Sequence, residues 1–161
     1  MIKNRIVGSG FERPDQLLAH PHNFRTHPKA QQDAVMGLLN DVGWVQNIIV
    51  NRRTQTIVDG HMRVSLAMRD GIESVPVTYV DLSEREESLV LALLDKTSSM
   101  ALIDERALDE LLRTVTTGDP VLMELLEAMA VDAEAIPADD VEDDNGAPAH
   151  ETRCPNCGHT F

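Results

Sequence analysis

Three short β-branched runs restrict this chain more than any other feature: Val45–Val50 (VQNIIV), Thr56-Ile57-Val58 and Val75–Val80 (VPVTYV). Each is too short for a helix and is bounded by turn residues, so each reads as one strand of a small sheet. Ile2 to Val7 supplies a further strand ahead of Gly8 and Gly10, and Pro76 marks either an edge strand or the start of one. Helical spacing fills the intervals. Val35, Leu38, Leu39 and Val42 form one stripe, opened by Pro28 in the first turn and stopped by Gly43. Residues 61–69 form a second helix, with Val64, Leu66, Ala67 and Met68 on its buried side and Gly71 as its C-cap. Ser83 and Glu86 make a capping box that opens a third helix through about Leu94. Asp104–Val115 and Pro120–Met129, the latter behind Asp119 as N-cap, complete the set. Residues 13–24 are irregular, anchored by Leu17-Leu18. The expected fold class is α/β (α+β): a small mixed sheet with packed helices and a helical extension, over residues 1–130.

Charge is unevenly spread. The formal net charge is −13, yet residues 1–80 hold nine Lys/Arg against seven Asp/Glu, and residues 81–161 hold five against twenty. The acidity therefore does not exclude a polyanionic ligand in the first half. Residues 131–152 contain eight acidic residues, no basic ones and two prolines, and read as a disordered acidic linker. It leads to a CxxC tail over 153–161. No run approaches the ~18 apolar residues of a membrane span. The opening MIKNRIVGSG lacks the apolar core of a signal peptide, so a cytoplasmic location is expected.

The run ending in Asp59-Gly60 passes directly into a helix that begins His61-Met62-Arg63. The first N–H groups of a helix have no internal partner, and the helix dipole adds positive potential there. Gly60 permits a tight turn and close approach of a ligand. His61 and Arg63 lie in the first turn, where their positive charge opposes the dipole unless an anion joins them. Asp59 reads as a helix cap, or as a base or Mg²⁺ ligand. A solvated turn explains the same residues without a ligand.

From Gln16 to Leu94 the chain resembles the ParB/sulfiredoxin-like superfamily, specifically the ParB N-terminal domain in stand-alone proteins of bacteriophages and mobile elements. The residues that carry the resemblance are Asn23-Phe24-Arg25, the helix ending at Gly43, the pair VQNIIV/QTIVDG, Gly60-His61-Met62-Arg63, and the run GIESVPVTYVDL from Gly71. The resemblance implies that Gly60, His61 and Arg63 form a phosphate-binding turn, closed from the other side by Arg25. It implies a nucleoside triphosphate, ATP or CTP, with Mg²⁺, and a homo-oligomer acting in DNA transactions. There are departures. His61-Met62 stands where partition clamps carry Glu-Arg, and Leu94-Asp95-Lys96-Thr97-Ser98 lacks their Asn and Arg. No cysteine occupies the turn, which excludes sulfiredoxin chemistry, and no helix-turn-helix module follows.

Asp59 and His61 are the catalytic candidates, for metal-assisted phosphohydrolase or nuclease chemistry. Two competing readings are a kinase-like phosphotransferase of the same fold and a non-catalytic adaptor whose acidic C-terminal half holds a basic protein partner. His20, His22 and His27 cluster near Arg25 and could join His61 in a metal site or an acid–base pair. Arg52-Arg53 sits in a hairpin turn, solvated or touching a nucleic-acid backbone. Cys154, Cys157 and His159 form half of a zinc knuckle, with His150 as a further candidate ligand.

Overall fold

The computed structural model describes residues 1–134. In chain order these form β1 (Ile6–Glu12), a 3-10 turn at Pro14–Gln16, α1 (Lys29–Asp41), β2 (Ile48–Asn51), β3 (Ile57–Asp59), α2 (His61–Arg69), β4 (Val75–Val80), α3 (Glu84–Ser98), α4 (Glu105–Leu112) and α5 (Pro120–Glu134). The four strands make one mixed sheet in the order β1-β4-β2-β3. β4 runs antiparallel to β1 and parallel to β2, while β2 and β3 are an antiparallel pair.

The strand runs are apolar without interruption because the middle of the sheet is covered on both faces. Alternate residues separate cleanly. Ile48, Val50, Ile57, Val75 and Val77 face one way and pack with Val64 and Ala67 of α2. Val58 and Val80 face the other way and pack with Leu82, together with Ile49 and with Val90 of α3. Thus α2 and α3 lie on opposite faces of the sheet. Leu17 reaches the first cluster and the Leu18 carbonyl accepts from the Ile57 N–H at 2.8 Å, so the Leu17-Leu18 anchor ties the irregular segment to β3.

Several expectations shift. The first strand begins at Ile6 rather than Ile2 and continues through both glycines to Glu12, where Gly8 pairs with Tyr79 and Gly10 with Val77. Pairing to β4, rather than local propensity, defines this edge strand. Pro76 is not on an edge: it stands second in a central strand, one residue ahead of the first β2 partner, Val77. The 45–50 run becomes a strand only at Ile48, which frees Gln46 and Asn47 for side-chain bonding. Met68 is exposed rather than buried, since the buried side of α2 is Val64, Leu66 and Ala67. In α1 the expected stripe is only partly covered: Leu38 and Val42 are exposed and Gly37 is the buried position. The reason is α5, whose Asp119 carboxylate fills the space over Gly37, 3.1 Å from where a Cβ would stand.

Helix ends follow their signals. Pro28 is the N-cap of α1 rather than its first helical residue, and Gly43, at φ +95°, lies just beyond its end. The Ser83/Glu86 capping box is complete, and α3 runs on to Ser98, past Leu94. Asp119 accepts from the Val121 and Leu122 N–H groups at 2.9 and 3.1 Å, capping α5. α4 stops at Leu112, short of Val115, and α5 continues past Met129 to Glu134. Beyond residue 134, the rest of the expected linker and the tail with Cys154, Cys157 and His159 lie outside the described residues. No described helix is long and apolar enough to cross a membrane.

Candidate functional site

The β3–α2 junction forms as its sequence requires. Gly60 is the N-cap of α2 at φ +97°, ψ 15°, a left-handed conformation that side chains disfavour. A Cβ there would lie 2.7 Å from Ile48 Cδ1 and 3.2 Å from an Arg63 terminal nitrogen, so space as well as conformation demands glycine. No side chain caps this helix, and the Asp59 carboxylate is not the cap expected of it. The first N–H groups of α2 therefore face the cleft side of the junction uncapped.

Asp59 is engaged elsewhere. Arg63 reaches back one turn and donates to Asp59 Oδ2 at 2.8 Å and to Gln46 Oε1 at 2.7 Å. Both side chains of the Arg63–Asp59 pair are only 17% exposed. Gln46 also donates to Asp59 Oδ2 at 3.3 Å, closing a three-residue ring. This ring answers part of the conflict between a basic first turn and the helix dipole without any ligand. One group stays unanswered: Arg63 Nε is buried and has no hydrogen-bond partner, alone in this respect among the described side chains. A buried donor left in that state costs about 1–3 kcal/mol.

Arg25 arrives from the loop before α1 and is held by α3. It donates to the Leu91 carbonyl at 3.1 Å, pairs with Asp95 Oδ2 at 3.1 Å, and lies over the Phe24 ring at 4.9 Å. Asn23, Arg25, Gln46, Asp59, Gly60, His61, Arg63 and Asp95 line a single cleft of about 190 Å³. The fold thus brings Arg25, Asp59, Gly60, His61 and Arg63 together from separate parts of the sequence. A larger open cleft of about 620 Å³ lies at the other end of α2, beside Arg13, Met68 and Glu73. It contains none of the candidate catalytic, phosphate-binding or metal-ligating residues, and its arginine is already paired with Asp15 at 2.6 Å. Volume is the weaker guide here, because the smaller cleft is lined by Arg63 and by the uncapped start of α2.

His61 differs from expectation. Its Nε2 accepts from the His20 backbone N–H at 3.1 Å. A nitrogen that accepts from an amide carries no proton, so the ring is neutral with its hydrogen on Nδ1. Its half-burial pushes its pKa below the ordinary histidine value; the nearby His20 adds to this, Asp59 opposes it, and Arg25 and His27 contribute further lowering. His61 is therefore not the second cation that its place in the first turn suggests. His20 and His27 each have a ring nitrogen engaged locally: His20 Nδ1 accepts from the His22 N–H at 3.0 Å, and His27 Nδ1 meets Gln31 Oε1 at 3.0 Å. Among the described residues no three His, Cys, Asp or Glu side chains converge to hold a metal ion. Arg53 pairs with Asp81 at the hairpin turn.

Gln46 was invisible to the sequence reading because it looked like part of a strand. The signal was the pair of polar residues, Gln46-Asn47, ahead of Ile48. The Leu91 carbonyl, as a backbone group on a distant helix, carried no signal.

No family model and no curated protein matches the chain. Solved structures do. The C-terminally truncated chromosome-partitioning protein ParB from Caulobacter crescentus, complexed with CTP-gamma-S, aligns with a TM-score of 0.55 at 20% identity, over 78% of this chain and 71% of that one. A Pnob8-like ParB-N domain aligns with a TM-score of 0.47 at 11% identity, over 83% of this chain and 66% of that one. On the first likeness the chain has a ParB N-terminal-like fold.

Proposed function

We propose that the cleft binds a nucleoside triphosphate, ATP or CTP, together with Mg²⁺, and that the chain uses this binding in DNA transactions as a homo-oligomer. The observation that carries the reading is Arg63: a buried guanidinium with one unpartnered N–H, beside a glycine turn and an uncapped helix N-terminus. A phosphate oxygen supplies what all three lack. The CTP-gamma-S in the similar ParB structure supports a nucleotide, and that protein's role in chromosome partition supports a DNA context.

The charge balance of the cleft argues for the metal. Arg25 and Arg63 are matched by Asp95 and Asp59, and His61 is neutral, so the lining has no surplus positive charge. A bare triphosphate would meet two carboxylates. Mg²⁺ changes that, since it needs only one or two protein carboxylates and takes its other oxygens from phosphate and water. Asp59 and Asp95 would hold it, and when bound it would supply charge neutralisation at the phosphates.

Binding is favoured over turnover in this reading. The acceptor nitrogen of His61 is occupied by the His20 N–H, so it is no general base in this state, and the base role in a phosphohydrolase or nuclease would fall to Asp59. Transfer to an acceptor, the kinase-like alternative, would need the same group. Zinc at Cys154, Cys157 and His159 enters the proposal only as a structural ion in the tail.

The test is a thermal-shift panel of the four ribonucleoside triphosphates, each with Mg²⁺ and with EDTA. A ligand at a hundredfold excess over its Kd adds about 2.7 kcal/mol, a rise of several degrees in Tm. The expected outcome is such a rise with ATP or CTP that EDTA removes. No rise with any of the four overturns the reading.

A further inference from the structure

The last two described helices lack a core of their own. Leu91 is the last buried residue among those described, and no residue from 92 to 130 is buried. Eleven exposed large apolar side chains fall in this stretch, among them Leu111, Val115, Met123 and Met129. Scattered exposed leucines are ordinary, but apolar side chains gathered along one groove mark a contact site. Here it has a shape: a groove of about 370 Å³ between α4 and α5, floored by Leu112, Val115, Met123 and Leu126. Asp109 and Glu127 stand at its margins, and Arg113 is already paired with Asp109 at 2.8 Å.

Charge decides what fits. Residues 104–130 carry seven carboxylates against two arginines, net −5. A second copy of this surface would set −5 against −5. The remainder of the chain is no better matched, since residues 131–161 hold eight carboxylates against the single Arg153. A cleft between two helices accepts a third helix presenting apolar residues at i, i+3, i+4 and i+7. We infer that the α4–α5 groove binds a cationic amphipathic helix of another protein, its apolar stripe on Leu112, Val115, Met123 and Leu126 and its Lys/Arg flanks against Glu127 and the net −5 of residues 104–130. This inference does not depend on the nucleotide reading.

The test uses the full chain, methyl-labelled at methionine, and an 18-residue amphipathic peptide of leucine and lysine, with a leucine–glutamate peptide of the same pattern as control. Met123 lies in the groove and Met62 lines the phosphate cleft, so the two methyl signals report the two sites separately. The expected result is a saturable shift at Met123 with the lysine peptide alone, with Met62 unmoved. Leu126→Glu or Leu112→Glu, each with unchanged far-ultraviolet circular dichroism, should weaken it at least tenfold. Failure of the lysine peptide to shift Met123 overturns the inference, as does binding that ignores both substitutions. Sedimentation showing a dimer that Leu126→Glu dissociates also overturns it, in favour of a second copy as the occupant.

Discussion

Arg63 and His61 sit two residues apart in the first turn of α2, yet their environments set them different tasks. Arg63 keeps its charge, paired on one side and unpartnered at Nε. His61 loses its charge to burial and to the His20 amide. The consequence is a pH dependence of definite sign. The imidazole titrates near 6.5 when unfolded and lower when folded. Between those values the unfolded chain binds more protons, so stability rises with pH. The contribution of His61 is complete above 6.5 and is lost as pH falls through the window below it. His61→Gln, which keeps an acceptor for the His20 N–H but cannot be protonated, should flatten the fall in Tm between pH 7 and pH 5. An unchanged slope in that variant assigns the dependence to other groups. Gly60, His61 and Arg63 were legible in the sequence because their chemistry is local, three positions of one turn. The neutrality of His61 was not, because it comes from an amide 41 residues away.

At the scale of elements, α3 connects the cleft to the hairpin. Its Glu87 is 2% exposed, and its Oε1 accepts from the Thr54 and Thr56 hydroxyls at 2.7 and 2.8 Å. One and two turns further on, the Leu91 carbonyl and the Asp95 carboxylate hold Arg25. One helix thus anchors on β2–β3 at its start and positions a cleft arginine toward its end. The Thr54 and Thr56 hydroxyls also meet each other at 2.7 Å, so Glu87→Ala leaves one of the two donors unpartnered beside a cavity and should cost about 1–3 kcal/mol, read as a lower urea midpoint with m unchanged. A midpoint unmoved by the substitution would show that the anchor contributes nothing. The existence and type of these elements were largely readable from periodicity and caps, as with Ser83/Glu86 and Asp119. Their edges were less so where pairing outweighs propensity: β1 extends through two glycines because β4 lies beside it. The exposed side of α1 depended on α5 returning over Gly37, a contact with no local signal.

Across the whole molecule, the proposed functions divide as the charge does. Among the described residues, 1–91 contain every buried one, and the proposed phosphate cleft takes its lining from the same stretch except for Asp95. The acidic surplus begins beyond the sheet: net −3 over residues 81–103, net −5 over residues 104–130, where no residue is buried, and net −7 over residues 131–161. The net −13 is therefore compatible with a polyanion in the cleft, provided that a metal ion accompanies it, and with a cationic partner on the helical extension. The two sites are separable by mutation, and the cleft is the central claim. Isothermal titration of MgCTP and MgATP into the wild-type chain and into Arg63→Ala tests it most directly, with circular dichroism confirming that the variant is folded. Losing charge-assisted bonds to phosphate should cost about 1.5–3 kcal/mol, roughly a tenfold to hundredfold weaker Kd. The expected result is saturable binding of one nucleotide per wild-type chain and that loss in Arg63→Ala; equal affinity in the folded variant, or no heat with either nucleotide, would overturn nucleotide binding at the cleft.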